Sequence, residues 1–399
     1  MKKILINGQK NFSNRGCEAL IRSIVKLIKN KFPDAKIFIP SSNPLLDKRQ
    51  FDDPSIIFIP YYYPLALRVW TQLLRLPIPL IKKINFPLFL PSKIEKTIDE
   101  SDIVISLGGD MYTYEDRIPS WIHAFDNIAI TKKKPIHLVS ASLSDFSEVP
   151  TYQRFLKAHF SKFDNIIVRE DISFDIVKRI FDCKNINKIP DIAFIMEKEA
   201  IKDKNFWSSN NSEKIVGINM SPLVEKLSHK INVKEIMKNF INYLIIDKKM
   251  KVLLIPHVFE LSNINQNDDL SYLSSIKSEL GNYNGNLEII NNQYNAAEIK
   301  YIISKCSFFL GARMHSTIAA ISTNVPTIFL TYSNKGIGMS KFIYDNLPLF
   351  IPMNDLNLEL IKSKFELLEN NESSIRATLK NKIPEIITTV EKGYSKIFN

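Results

Sequence analysis

The chain has 399 residues, 45% hydrophobic and 24% charged, which excludes a disordered protein and exceeds one ordinary core, so two domains are expected. A formal charge of +11 asks for an acidic partner: a phosphorylated small molecule or a membrane surface. Nucleic acid is excluded as a partner, because there is no helix-turn-helix, zinc-finger or RNA-binding sheet pattern and no Lys/Arg run with interleaved aromatics. Cys17, Cys183 and Cys306 are odd in number and far apart, which argues against a disulfide framework and for a reducing, cytoplasmic setting. The chain opens directly into a strand-like Ile4-Leu5-Ile6, so no signal peptide is expected, and no long apolar segment runs without charge or proline, so no transmembrane helix is expected.

After that first strand come Gly8 and a polar loop through Asn11, Ser13, Asn14 and Gly16, whose uncharged side chains suit sugar hydroxyls. Glu18 then opens a helix with Ala19, Leu20, Ile24, Leu27 and Ile28 at helical spacing. This is a Rossmann-type opening, but without Gly-x-Gly-x-x-Gly it does not imply a dinucleotide. Residues 37–39 and 56–59 are the next strands. Residues 61–91 mix Trp70 and leucines with Arg68, Arg75, Lys82 and Lys83 and are broken by prolines. They read as an excursion packed on its own domain or as a peripheral contact with the inner face of a membrane. Residues 102–107 form a strand that turns at Gly108-Gly109-Asp110, where glycines let a ligand approach and Asp110 faces it; ordinary turn chemistry is the other reading. Strands at 135–139 and 165–168 follow, the second ending in Arg169 at a helix start.

Residues 197–213 turn polar and irregular and mark the boundary. Domains are expected at 1–200, on the acceptor side, and 213–372, on the donor side, with a helical stretch 373–399 near the junction. In the second half strands at 214–219, 252–255 and 287–290 alternate with helices at 233–246, 268–280 and 296–304; Pro256-His257 follows the second strand. The fold class expected is α/β, two Rossmann-like doubly wound sheets facing across a cleft. A strand at 306–310 leads into Gly311-Ala312-Arg313-Met314-His315-Ser316-Thr317 and a helix, and a further strand at 326–330 delivers Tyr332, Ser333 and Lys335 to the same sheet edge. Backbone N–H groups at such a corner, with a helix dipole worth about 0.3–1 kcal/mol, favour a bound anion. Singly, Arg313 reads as an ion-pair partner and His315 as an ordinary buried histidine. Together with Lys335 they read as an anion site.

Several of these pieces in order resemble the polysaccharide pyruvyl transferase family: Asn14-Arg15-Gly16-Cys17-Glu18-Ala19, the strand into Gly108-Gly109-Asp110, and Val168-Arg169-Glu170-Asp171-Ile172-Ser173. Pro190-Asp191, Pro256-His257 and the Arg313-Met314-His315 corner leading to Tyr332 and Lys335 continue the resemblance. It implies a glycosyltransferase-B-like fold and transfer of the pyruvyl group of phosphoenolpyruvate, as co-substrate, onto two hydroxyls of a sugar or lipid-linked acceptor as a ketal. It also implies that Arg313, His315 and Arg169 contact the donor, with Lys335, His257, Tyr332, Ser316, Asn14, Gly16, Gly108 and Gly109 in supporting binding positions. Cys17 and Asp110 depart from the usual Asp and Gly of relatives.

The chemistry agrees. A small ligand carrying a carboxylate and a phosphate needs forked cationic donors. His315 is the candidate acid for the vinyl carbon, and Glu18 or Asp110 the candidate base for the acceptor hydroxyl. Between Glu298 and Glu359 the only acids are Asp345 and Asp355, which disfavours a ribose-binding carboxylate. Without an Asp-x-Asp motif, a His pair at metal spacing or a Walker loop, no cofactor, no structural zinc and no obligatory metal in the donor site are expected. A glycosyltransferase using a nucleotide sugar and a noncatalytic envelope-polysaccharide assembly protein are the alternatives.

Overall fold

The computed structural model of the chain describes all residues except 63–64, 67–68, 70–72, 74–89, 114–119, 148–149, 184, 203–212, 228–230, 260–267, 282, 332–333, 346 and 399. Most of the basic aromatic excursion, Trp70 included, therefore lies outside the described residues, as does Tyr332. The chain divides into two compact units. The first holds Met1–Asn11, Leu20–Ile192 and Thr389–Asn399; the second holds Phe12–Ala19 and Ala193–Thr388.

The strands of the first unit are β1 (Lys3–Asn7), β2 (Lys36–Ser41), β3 (Ile56–Pro60), β4 (Ile103–Tyr112), β5 (Ile136–Leu143), β6 (Asn165–Val168) and β7 (Ile186–Lys188). They form one parallel sheet in the order β3-β2-β1-β4-β5-β6-β7. Their Ile- and Val-rich runs are buried on both faces, as a parallel sheet covered by crossover helices requires. The helices Ser92–Glu100, Ser120–Thr131 and Pro150–Phe160 supply Ile94, Ile98, Ile122, Phe125, Leu156 and Phe160 to that core. Each such side chain contributes about 1.5–3 kcal/mol on burial.

The second unit contains β8 (Ile215–Asn219), β9 (Lys251–Leu254), β10 (Leu287–Ile289), β11 (Phe308–Gly311), β12 (Thr327–Thr331) and β13 (Phe350–Pro352). These too are all parallel, in the order β10-β9-β8-β11-β12-β13. In each sheet the chain winds one way from its first strand and then returns to that strand's other side. The order thus reverses between β1 and β4 and again between β8 and β11. In open α/β sheets ligands bind beyond the strands' carboxyl ends at such a reversal.

The two doubly wound α/β sheets are those expected from the strand–helix alternation. Several local features differ from it. The first helix begins at Arg15, not Glu18, and runs to Lys31, because the loop before it already turns at Asn14. The strand into Gly108-Gly109-Asp110 does not turn there. It continues to Tyr112 through a register shift, with Gly109 at φ 44, and Tyr112 pairs with Leu143. The strands β7 and β13 carry too few apolar residues to announce themselves, and the helix Glu372–Ser395 passes through Pro384 without interruption. No helix among the described residues is long and apolar enough to cross a membrane.

Candidate functional site

In the second unit the strand reversal is built from Asn219 at the end of β8 and the Gly311–Arg313 corner after β11. Asn219 Oδ1 accepts from the Arg313 backbone N–H at 2.9 Å and from Ser316 Oγ at 3.0 Å, while its amide donates to Ile255 O at 2.9 Å. One amide side chain thus ties the ends of β8, β9 and β11 together. Ser316, for which the family resemblance implies a binding position, is fully buried and spends its hydroxyl on Asn219 and on Arg313 O, 2.7 Å away.

Arg313 caps the helix Met314–Ile321 with extended backbone, and its side chain is 13% exposed. Asp269, fully buried at the start of the helix Asp269–Leu280, holds its guanidinium: Nη2 donates to Oδ1 at 2.8 Å and Nε lies 3.3 Å from both carboxylate oxygens. The same carboxylate accepts from the backbone N–H groups of His257 and Val258 at 3.1 Å. Asp269 therefore fixes both the plane of Arg313 and the chain beside it. Arg313 is an ion-pair partner, as one reading of it alone had it, and it stands beside two histidines and a second arginine.

Residues 12–16 lie on the segment that follows β9. Asn14 and Val258 form an antiparallel bridge, Arg15 N donates to His257 O at 3.0 Å, and Phe259 N donates to Ser13 O at 2.8 Å. Asn14 Oδ1 accepts from Gly16 N at 2.9 Å, which shapes the turn before the first helix. Arg15 is buried, donates to the carbonyls of Phe12 and Asn292, and lies 4.8 Å from the centre of the Phe259 ring. Glu18 is fully buried 3.7 Å from Arg15. An acceptor hydroxyl cannot reach a carboxylate so enclosed, which weighs against Glu18 as the base.

Gly16 sits against His315: a Cβ built there would stand 2.4 Å from His315 Nδ1 and 3.0 Å from Asn14 Oδ1. Gly16→Ala must displace the imidazole or the loop, an overpacking that costs about 1–3 kcal/mol. The expected result is a lower melting temperature together with a loss of donor binding. Unchanged binding would place His315 outside the ligand's reach.

His257 is 3% exposed, and neither ring nitrogen has a hydrogen-bond partner among the described residues. Burial, reinforced by His315, Arg15 and Arg313, holds its pKa well below the usual 6.5, so the ring is neutral. A neutral imidazole carries one N–H and one lone pair, and burying both unpaired is costly unless a ligand meets them. The sign of the pH effect follows. Below pH 6.5 the unfolded chain protonates this histidine and the folded chain does not, so stability falls on acidification. The slope from this group reaches about 1.4 kcal/mol per pH unit. Denaturant melts at pH 7.5 and 5.5 should show wild type losing about 1 kcal/mol more than His257→Gln; equal losses would contradict a neutral, buried His257.

The remaining sequence candidates sit on other strands and helices. In the first unit Arg169 is clasped on three sides: Nη1 to Asp191 at 2.6 Å, Nη2 to Asp110 at 2.6 Å and Nε to Ser142 Oγ at 2.8 Å. The two carboxylates hold its pKa above the usual guanidinium value despite the opposing effect of burial. Asp110 is 42% exposed, whereas Asp191 is fully buried. Gly108 presses against the neighbouring strand, where a Cβ would stand 2.2 Å from Ala141 Cβ. Lys335 is half-buried in the first turn of the helix Asn334–Tyr344, after β12. Missed by sequence reasoning were Asp269, Asn219 and Arg15.

Comparison with known proteins gives the family and the fold. The profile of the polysaccharide pyruvyl transferase family matches residues 14–334, a range that includes Arg15, Asn219, His257, Asp269, Arg313 and His315. The amylovoran biosynthesis protein AmsJ of Erwinia amylovora is 19% identical over 362 residues, 85% of each chain. Among solved structures, UDP-GlcNAc 2-epimerase from Neisseria meningitidis bound to UDP-GlcNAc matches with TM-score 0.61 and 15% identity, over 100% of this chain and 99% of that one. A UDP-N-acetylglucosamine 2-epimerase from Listeria monocytogenes matches with TM-score 0.59 and 14% identity over 95% and 91%. A ugt transferase from Siraitia grosvenorii in complex with UDP matches with TM-score 0.57 and 9% identity over 100% of both chains. These neighbours share the glycosyltransferase-B-like pair of α/β domains; the match over residues 14–334 makes the chain a member of the polysaccharide pyruvyl transferase family.

Proposed function

We propose that the protein transfers the pyruvyl group of phosphoenolpyruvate onto two hydroxyls of a sugar in a cell-surface polysaccharide or its lipid-linked precursor. The observation that carries this reading is the Arg313 guanidinium, fixed by Asp269 and grouped with His315, His257 and Arg15 at the second sheet's strand reversal. A fork-shaped cation suits a carboxylate or phosphate, and each charge-assisted hydrogen bond contributes about 1.5–3 kcal/mol.

In this reading His315 protonates the vinyl CH₂ of the donor, which becomes the methyl group, and positive charge develops on the adjacent carbon. One sugar hydroxyl adds there and loses its proton to a base. Phosphate leaves with the C–O bonding pair, and the neighbouring hydroxyl closes the ketal, its proton returning to the spent acid. His257, held neutral, serves as a hydrogen-bonding group rather than a charge. Glu18, fully buried beside Arg15, is too enclosed to meet an acceptor. AmsJ, a protein named for amylovoran biosynthesis, supports a polysaccharide setting.

A thermal-shift screen separates this reading from a nucleotide-sugar transferase. Phosphoenolpyruvate should raise the melting temperature of wild type and leave Arg313→Lys largely unmoved. Protection by UDP- or GDP-sugars without protection by phosphoenolpyruvate would select the glycosyltransferase instead. No donor effect, with flotation on liposomes, would select an assembly protein.

A further inference from the structure

The first unit contains a second polar cluster, remote in kind from anion binding. His123 and Asp126, three residues apart, lie on one face of the helix Ser120–Thr131, and His159 comes from the helix Pro150–Phe160. All three are buried, and their ligand-type atoms lie within 4.8 Å of one another. Around them stand Tyr112, Phe155, Phe160 and Phe163, with ring centres 4.9 to 5.8 Å apart across the cluster.

Two atoms in this aromatic box have no hydrogen-bond partner among the described residues, His123 Nδ1 and Asp126 Oδ1. The other atoms are already oriented. Tyr112 donates to Asp126 Oδ2 at 2.7 Å, His159 Nε2 lies 3.4 Å from the same oxygen, and His123 Nε2 is 2.5 Å from Tyr152 Oη. The tautomer in which Nε2 donates to Tyr152 Oη is the one that puts the lone pair of His123 on the unpartnered Nδ1. Among the described residues Asp126 has no Lys or Arg partner, and a carboxylate this deep asks for a compensating positive charge.

We propose that His123, Asp126 and His159 form a structural site for a divalent cation of the zinc type, stapling the helices Ser120–Thr131 and Pro150–Phe160. Imidazole and carboxylate ligands suit such an ion. With metal–ligand bonds of about 2.0–2.2 Å, tetrahedral ligands stand about 3.3–3.5 Å apart. The His159 Nε2–Asp126 Oδ2 separation of 3.4 Å falls in this range, and all three ligand atoms lie within 4.8 Å of one another. Tyr112 and Tyr152 then act as the outer partners that orient the carboxylate and an imidazole. The proposal departs from the expectation of no structural zinc, which rested on the spacing of histidines along the chain. It is independent of the donor site.

The test uses the full-length chain, free of any histidine tag, produced in zinc-supplemented medium, desalted and assayed for metal by mass spectrometry. Wild type should carry about one zinc per chain, and His123→Gln/His159→Gln close to none. If that variant fails to fold, wild type alone decides: refolding with cobalt should give the visible absorption of a tetrahedral site, and refolding with a chelator should lower the melting temperature. Metal-free wild type whose melting temperature ignores zinc and chelator overturns the proposal. So does a folded double variant that retains as much zinc as wild type.

Discussion

Arg313→Ala should lower kcat/KM for phosphoenolpyruvate by about 10²–10⁴-fold, the loss of two charge-assisted hydrogen bonds of about 1.5–3 kcal/mol each. The substitution also strands Asp269, a fully buried carboxylate that keeps only backbone partners. Breaking a buried pair by removing one partner costs about 3–5 kcal/mol, so lost activity must be read beside a melting curve. Arg313→Lys separates the two effects. It keeps the charge near Asp269 but lacks the planar fork, so most of the stability should remain while donor binding drops. A folded Arg313→Ala protein with near-full activity would remove the donor site from this corner.

Asp269→Ala should be among the most destabilising single substitutions at the site. Besides its fork to Arg313, Asp269 accepts from two backbone N–H groups, those of His257 and Val258. Removing the carboxylate leaves a half-buried guanidinium and two amides without their acceptor, at about 3–5 kcal/mol for the ion pair and about 1–3 kcal/mol for each amide that stays dry. Asp269→Asn keeps an acceptor for the amides and should lose less. Because Asp269 acts through Arg313, the Asn variant should raise the KM for donor more than it lowers kcat. A variant with wild-type stability and KM would show that Arg313 is held some other way.

Much of this architecture was legible because parallel strands buried on both faces leave short apolar runs, and β8, β9 and β11 all do so. The Arg313–His315 corner was legible for the same reason: it sits where a clear strand becomes a clear helix. Its support was not. Asp268 and Asp269 look alike at a helix start, yet Asp268 caps the helix while Asp269 turns inward to Arg313. Two adjacent acids where one cap suffices were the available signal. Arg15 was hidden by its company in a polar loop, which takes its place from backbone pairing of residues 13–15 with residues 257–259. The His123–Asp126–His159 cluster was illegible because its third member arrives from another helix.

The donor claim meets its most direct trial in calorimetric titration of phosphoenolpyruvate into wild type and into Arg313→Lys, with a UDP-sugar as the parallel titrant. Saturable binding of phosphoenolpyruvate to wild type, weakened at least tenfold in the lysine variant, with no heat from the UDP-sugar, is the predicted result. Equal affinity in both proteins, or a UDP-sugar that binds where phosphoenolpyruvate does not, would contradict it.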